Sequence, residues 1–285
     1  MNIIVTGSRG FIGSYFQKEY AHKYTIQTFS FLKDDIETLH VKDVEAVIHL
    51  SALVHQMGGA SEEAYERVNV EQTVQLARKA KESGAKQFIF MSTVKVYGEE
   101  SDVAYTEASP CHPKDAYGRT KLKAEQELQA LADEDFTVSI VRTPIVYGRG
   151  VKANMQNLMK LIDTMPLLPL GGIDNKRSFV YVGNVCALLD TLIDQCKSGI
   201  FLAGDDVSLS TTELIQALAK AQKKKLFLIK LPVLALFLKH IKPSFYQRLF
   251  ESLTIDNSRT KEILRFKNPY STQAGIALMI QGKAQ

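Results

Sequence analysis

The chain has 285 residues, 45% of them hydrophobic and 23% charged, with a formal net charge of +4. That balance excludes a disordered or low-complexity chain and suits one large α/β domain with a smaller attached lobe. The positive charge fits an anionic small ligand as well as it fits a nucleic acid or an acidic membrane surface; the single basic run, Lys223-Lys224-Lys225, lacks the interleaved aromatics and glycines of a nucleic-acid motif and reads as a solvated helix end.

Met1-Asn2 leads straight into Ile3-Ile4-Val5, with no basic stretch, apolar segment or cleavage site ahead of it, so a cytoplasmic protein is expected. Cys111, Cys186 and Cys196 have no paired spacing, and Cys111-His112 has no ligand cluster near it. Neither disulfides nor a metal site are expected.

Residues 2–6 read as a buried strand ending in Thr6. Gly7-Ser8-Arg9-Gly10-Phe11-Ile12-Gly13 follows and opens a helical pattern that runs to about Tyr20. Strand, glycine turn and helix in that order are the context of dinucleotide binding, here with the spacing GxxGxxG. Gly7 permits the tight turn, Gly10 lets the backbone approach a pyrophosphate, and Gly13 lets the helix pack closely on the sheet. The pyrophosphate belongs at the helix N-terminus, beside Phe11 and Ile12. The next strand, near Thr25 to Ser30, ends without the carboxylate that usually holds the adenosine ribose; Arg9 and Lys33 lie near instead, which favours NADP over NAD. Asp35-Ile36 suits the edge of the adenine.

Val44 to Leu50 reads as a further buried strand, and Leu50-Ser51-Ala52 provides a place where a cofactor passes close to the chain. A helical pattern from Glu62 to Ser83 containing Asn69, and then a strand from Gln87 to Met91, complete a βαβαβ alternation. A doubly wound parallel sheet follows, with ligands at the carboxyl ends of its strands. Ser92-Thr93 sits at such an end. Beyond the loop Gly98 to Pro113, Asp115 caps a helix carrying Tyr117 and Lys121, which are four apart and so share one face. Phenol and ammonium together read as a proton-transfer pair, with the ammonium expected to lower the phenol's pKa. Thr93 is placed to reach the same substrate oxygen.

Phe136 to Val141 is another strand, after which the alternation weakens. Helices are expected from Asn154 to Met165, Asn184 to Gln195 and Thr212 to Gln222, with strands at Arg177 to Val182 and Ile200 to Leu202. Residues 1–150 read as the cofactor domain and 151–285 as a lobe closing over it, the two interleaved in one compact unit. Leu226 to Leu238 is too short to span a bilayer and is interrupted by Lys230 and Pro232, so it reads as a buried or interfacial segment.

Thr6 to Gly13, His49-Leu50-Ser51-Ala52, Ser92-Thr93 before Val96-Tyr97-Gly98, Tyr117 to Lys121, Arg142 to Gly148 and Arg177 to Val182 together resemble the extended short-chain dehydrogenase/reductases, the nucleotide-sugar epimerase/dehydratase family. The resemblance implies a Rossmann-type domain with a C-terminal sugar-nucleotide lobe. It makes Thr93, Tyr117 and Lys121 catalytic and puts Arg177 and Asn154 near a nucleotide diphosphate. It also implies a homodimer through the helices near 62–83 and 115–131. Asn184 stands where the family commonly has Asp. Arg248, with Tyr246, is read as lining the sugar pocket.

The 4,6-dehydratases of that family carry Thr-Asp-Glu-Val-Tyr-Gly, whose acids remove water; here the frame is Thr93-Val94-Lys95-Val96-Tyr97-Gly98, which disfavours dehydration. Leu53-Val54-His55, Gly150 to Asn154 and Ile173 to Ser178 look most like reductases of UDP-4-keto-6-deoxy-N-acetylhexosamines in surface-polysaccharide synthesis. A UDP-hexose or UDP-N-acetylhexosamine 4-epimerase is the alternative, and a dinucleotide sensor without catalysis a more distant one.

Overall fold

The computed structural model describes residues 1–54, 60–151 and 154–281. Its strands are β1 (Asn2–Thr6), β2 (Thr25–Phe29), β3 (Ala46–His49), β4 (Gln87–Thr93), β5 (Thr137–Thr143), β6 (Ile145–Tyr147), β7 (Leu167–Leu168), β8 (Phe179–Tyr181), β9 (Gly199–Leu202) and β10 (Phe227–Leu228). Its α-helices are α1 (Phe11–Tyr20), α2 (Glu62–Glu66), α3 (Gln72–Glu82), α4 (Ala116–Gln129), α5 (Asn154–Thr164), α6 (Val182–Gln195), α7 (Thr211–Ala221), α8 (Pro232–Ile241), α9 (Pro243–Phe250), α10 (Ser258–Leu264) and α11 (Thr272–Gln281).

Six parallel strands form the main sheet in the order β2-β1-β3-β4-β5-β9, the Rossmann-type arrangement. Strand alternation divides its side chains between two layers. Ile3, Val5, Ile48, Ile89, Met91 and Val141 pack with Phe16 of α1 and with α6, whereas Ile4, Val47, Phe88, Phe90, Val138 and Ile140 pack with Leu76 and Ala77 of α3 and Ala124 and Leu128 of α4. Burial on both faces explains why these strands read as continuous apolar runs rather than as alternating ones. The chain returns to this sheet after the second-half elements begin, because β9 pairs with β5 and α6 covers the α1 face.

Three elements differ from the sequence reading. The helix expected from Glu62 to Ser83 is interrupted by a π-helical turn at Arg67–Glu71, which turns Asn69 inward. The strand expected from Arg177 to Val182 shrinks to β8, because α6 already starts at Val182. Leu226 to Leu238, read as one buried or interfacial segment, divides into β10 and α8; it is not buried throughout, since Leu226, Leu228 and Leu234 pack on the core while Phe227 is 68% and Val233 69% exposed.

Candidate active site

The topological switch point lies between β1 and β3, where Thr6 and His49 stand in register. Thr6 Oγ accepts from the amides of Leu50 (3.1 Å) and Ser51 (3.2 Å) and lies 2.9 Å from His49 Nδ1; His49 Nε2 lies 3.0 Å from Thr73 Oγ. Since two amides already donate to Thr6, its hydroxyl donates to Nδ1, and Nε2 carries the ring proton toward Thr73. Burial, with Lys121 adding, lowers the His49 pKa to about 3, so the ring is a neutral strut that pins the two strand ends together.

The glycine turn is built on that strut. Gly7 has φ +62°, and a Cβ there would stand 2.9 Å from the backbone of Leu50 and Ser51; at Gly13 it would stand 2.4 Å from Gly7 O. Both positions therefore require glycine. The α1 N-cap, Gly10, supplies no side-chain cap, and the first turn has no acid. Arg9 and Gly10 are exposed, and Phe11 and Ile12 are half-buried. Uncapped first-turn amides, the positive helix end and a backbone stripped of side chains fit the pyrophosphate of a nicotinamide dinucleotide.

At the end of β2 the structure supplies what the sequence lacked. The turn after Ser30 folds back, so that the Ser30 amide donates to Asp34 Oδ2 at 2.8 Å while Ser30 O accepts from the amides of Lys33 and Asp34. A carboxylate thus lies at the strand end after all. Asp35 caps a short turn through the Glu37 amide (3.0 Å), and Ile36, 8% exposed, packs in the core with Phe29 and Leu39 rather than opening toward a ligand.

Ser51 and Ala52, half-buried, lead to Leu53, which Asn69 grips at both ends: Leu53 N donates to Asn69 Oδ1 (2.8 Å) and Asn69 Nδ2 donates to Leu53 O (3.1 Å). The same Nδ2 reaches Thr120 Oγ at 3.2 Å. The π turn therefore ties the chain after β3 to α4, between the residues flanked by Tyr117 and Lys121.

Asp115 caps α4 through the Gly118 amide (2.7 Å) and pairs with Lys95, whose ammonium also holds Glu99 at 2.7 Å. A Cβ on Gly118 would stand 3.0 Å from Lys95 O, so glycine lets the first turn of α4 close on the chain leaving β4. Thr93 ends β4 and its Oγ accepts from the Lys95 amide at 3.2 Å, leaving the hydroxyl proton free to be given elsewhere. The Lys121 ammonium lies 3.8 Å from the centroid of Phe90, also on β4. Thr93 thus ends β4, Lys121 packs on Phe90 of the same strand, and Tyr117 lies one turn before Lys121 on α4, at the carboxyl end of the sheet where the glycine turn also lies.

Their protonation differs from the sequence reading. Burial raises the Tyr117 pKa, with Asp115 and Tyr65 adding to it, so the phenol is not lowered as expected. Burial lowers the Lys121 pKa to about 7, opposed by Glu125. The leading cause is common to both: burial disfavours phenolate and ammonium alike, and neither group is among the charges that shift the other.

Behind this edge lies a buried polar network that the sequence reading did not single out. Glu125, one turn beyond Lys121, is 1% exposed; it accepts from Arg142 Nε (3.1 Å) and Nη2 (2.5 Å) and from the Ser92 hydroxyl. The Arg142 guanidinium stacks 4.7 Å from the Tyr97 ring centroid. The available signal was the spacing 117, 121, 125, which puts a carboxylate on the inward face of α4.

In the second half, Arg177 is 8% exposed and donates to the carbonyls of Gln247 (3.4 Å) and Glu251 (3.0 Å) at the end of α9. Burial lowers its pKa; Glu99 opposes the shift and Arg248 reinforces it. Arg177 and exposed Arg248 are therefore neighbours, and Arg177 also lies near Glu99, the partner of Lys95 after Thr93. The side chain of Asn154 lies outside the described residues, as do His55 and Lys152-Ala153. Asn184 is explained by its surroundings: its Nδ2 donates to Asp205 Oδ1 (2.8 Å) and Tyr270 O (2.9 Å), and its Oδ1 accepts from the Tyr270 amide (3.0 Å). An Asp there would face another carboxylate.

Glycine turn, doubly wound sheet and a Thr-Tyr-Lys set at the carboxyl end of that sheet define a dinucleotide-binding α/β class. Residues 3–204 match the NAD dependent epimerase/dehydratase family. Over its full length the chain is 36% identical to a UDP-glucose 4-epimerase of Vibrio cholerae, 96% of which aligns. Over 81% of its length it is 24% identical to N-acetyl-alpha-D-glucosaminyl-diphospho-ditrans,octacis-undecaprenol 4-epimerase of Escherichia coli, 75% of which is covered. A UDP-glucuronic acid 4-epimerase of Bacillus cereus, solved in complex with NAD, has a TM-score of 0.79 at 21% identity, covering 99% of this chain and 98% of that one; this is a likeness of fold. The chain belongs to the NAD-dependent epimerase/dehydratase family.

Proposed function

We propose that this protein is a UDP-sugar 4-epimerase that uses NAD. What supports the proposal is 36% identity along the whole chain to a UDP-glucose 4-epimerase, together with Thr93, Tyr117 and Lys121 standing where the family resemblance puts its catalytic residues. The 4-keto reductase expected from short stretches uses the same three residues, but the relatives favour epimerisation. Dehydration lacks its acids: Val94 is 3% exposed and Lys95 is held by Asp115 and Glu99.

Gly7 to Gly13, Leu50, Ser51 and Ala52 hold the dinucleotide, with Lys121 against its ribose. Asp34 at the β2 end accepts ribose hydroxyls and repels a 2′-phosphate, which moves the preference to NAD. The dinucleotide, when bound, supplies reversible hydride transfer at sugar C4. Tyr117, which burial keeps as a phenol in the protein alone, would need the positive charge of an oxidised nicotinamide beside it to act as phenolate. It would then take the O4 proton as the C4 hydrogen leaves and return it after the ketone has presented its other face, with Thr93 donating a hydrogen bond to the same oxygen throughout. Arg177 and Arg248 gather two cationic groups for the diphosphate. For assembly, we infer a homodimer through α2, α3 and α4. Their outer faces carry Glu71, Arg78, Lys123 and Glu127, so charge pairing would hold it and high salt would weaken it.

The test is proton NMR of UDP-glucose and UDP-N-acetylglucosamine incubated with the protein and NAD, alongside nicotinamide absorbance. The 4-epimer should accumulate to equilibrium without net reduction of the cofactor. Tyr117→Phe should lower turnover by about 10²–10⁴-fold while dinucleotide binding persists. Stoichiometric oxidation of NADH or NADPH on a UDP-4-keto-6-deoxy sugar, with no epimer formed from either substrate, would replace this reading with the reductase.

A further inference from the structure

Among the described residues, a run of exposed apolar side chains lies outside the candidate active site. On α8, Val233 (69% exposed), Leu236 (62%), Phe237 (57%) and Ile241 (59%) follow the spacing i, i+3, i+4, i+8, so they form one stripe on the outer side of the helix. The opposite side is anchored, since Leu234 of α8 and Leu249 and Phe250 of α9 pack against the main core. A water-soluble helix normally buries such a stripe. Phe227 (68%) on β10 before the helix and Phe245 (48%) on α9 after it are exposed as well.

Charge says what covers it. From Leu214 to Phe250 the chain has seven lysines and Arg248 but no Asp or Glu. Lys230 precedes the helix, Lys239 stands in its last turn and Lys242 follows it, all exposed, and Lys223 to Lys225 lie at the start of the same segment. A second copy of this chain would oppose one cationic surface to another, which argues against self-association here. No described helix is long and apolar enough to cross a membrane. An exposed apolar stripe on a helix of ten residues, flanked in sequence by exposed lysines, matches a surface that lies in the headgroup region of a lipid bilayer.

We propose that α8 and the β10–α9 segment around it form a docking surface for an anionic phospholipid bilayer. Phe237 and its neighbours enter the acyl boundary, while the lysines extend along the helix to reach lipid phosphates. The active site then works beside a membrane without spanning it.

Flotation of the full chain with vesicles tests this. The bound fraction should be about tenfold higher on 7:3 phosphatidylcholine:phosphatidylglycerol vesicles than on pure phosphatidylcholine, and should fall severalfold in high salt. The Leu236→Asp/Phe237→Asp variant should lose binding by about tenfold, with circular dichroism, melting temperature and turnover of soluble substrate retained. Two results would overturn the proposal: no flotation of folded wild-type protein with the anionic vesicles, or equal flotation of the variant. A third would be a wild-type dimer by light scattering that the same variant makes monomeric, since a second copy would then own the surface.

Discussion

Glu125→Ala puts the buried network behind the active site to the test. The substitution removes a carboxylate that is 1% exposed and accepts from Arg142 Nε and Nη2 and from the Ser92 hydroxyl. It leaves Arg142, itself 3% exposed, with an uncompensated charge, and among the described residues Nη1 of that residue has no hydrogen bond of good geometry. Breaking one side of a buried ion pair costs about 3–5 kcal/mol, far more than the roughly 0–1 kcal/mol of an exposed pair such as Lys23–Asp194. At about 2 °C per kcal/mol for a chain of this size, the melting temperature should fall by about 6–10 °C. Glu125→Met/Arg142→Met removes both charges together and should recover most of that loss. The single variant should also shift a catalytic signature: Glu125 opposes the lowering of the Lys121 pKa, so its loss moves that pKa below about 7 and the Lys121-dependent limb of the pH–rate profile toward acid. Denaturant unfolding and that profile read the two effects. A single variant that loses less than about 1 kcal/mol, or a double variant less stable than the single, would refute the reasoning.

Asn184→Asp should destabilise by about 1–3 kcal/mol by setting a second carboxylate against Asp205, whose own pKa burial already raises. A carboxyl whose folded pKa lies above its unfolded value holds a proton that the unfolded chain has released. The destabilisation should therefore be smaller near pH 5 than at pH 8, and chemical denaturation at both pH values would show it. His49 works in the opposite sense: its folded pKa of about 3 lies below the usual 6.5, so only the unfolded chain takes up its proton as pH falls through that window. Stability should decline by about 1.4 kcal/mol per pH unit from this group below pH 6.5, and His49→Gln should remove that part of the slope in acid titrations of unfolding. Asp34→Asn should raise the efficiency with NADP relative to NAD by about tenfold; an unchanged ratio in steady-state kinetics would remove Asp34 from cofactor selection.

What could be read in the sequence was set by short-range geometry. The glycine turn is legible because Gly7 and Gly13 answer to contacts within a few residues of one another and to the strand beside them, and Tyr117 and Lys121 because a helix fixes their common face. Chain elements that depend on return paths were not. Asp34 reaches the end of β2 only because the following turn folds back onto Ser30, so a scan of the strand end found no acid. Asn184 looked like a departure from the family pattern until Asp205, 21 residues away, supplied the carboxylate that makes an amide the better partner. The Tyr117 pKa was inferred from a neighbour's charge, whereas its direction is decided by burial, which no residue spacing records. Hydropathy likewise marked Leu226 to Leu238 as apolar without saying which side the protein covers; Leu234 packs inward while Leu236 and Phe237 remain outside. In each case the missing quantity was the environment that distant parts of the chain build around a side chain: a partner for Asp34 and Asn184, burial for Tyr117 and Lys121, and the covered side of α8 for Leu234.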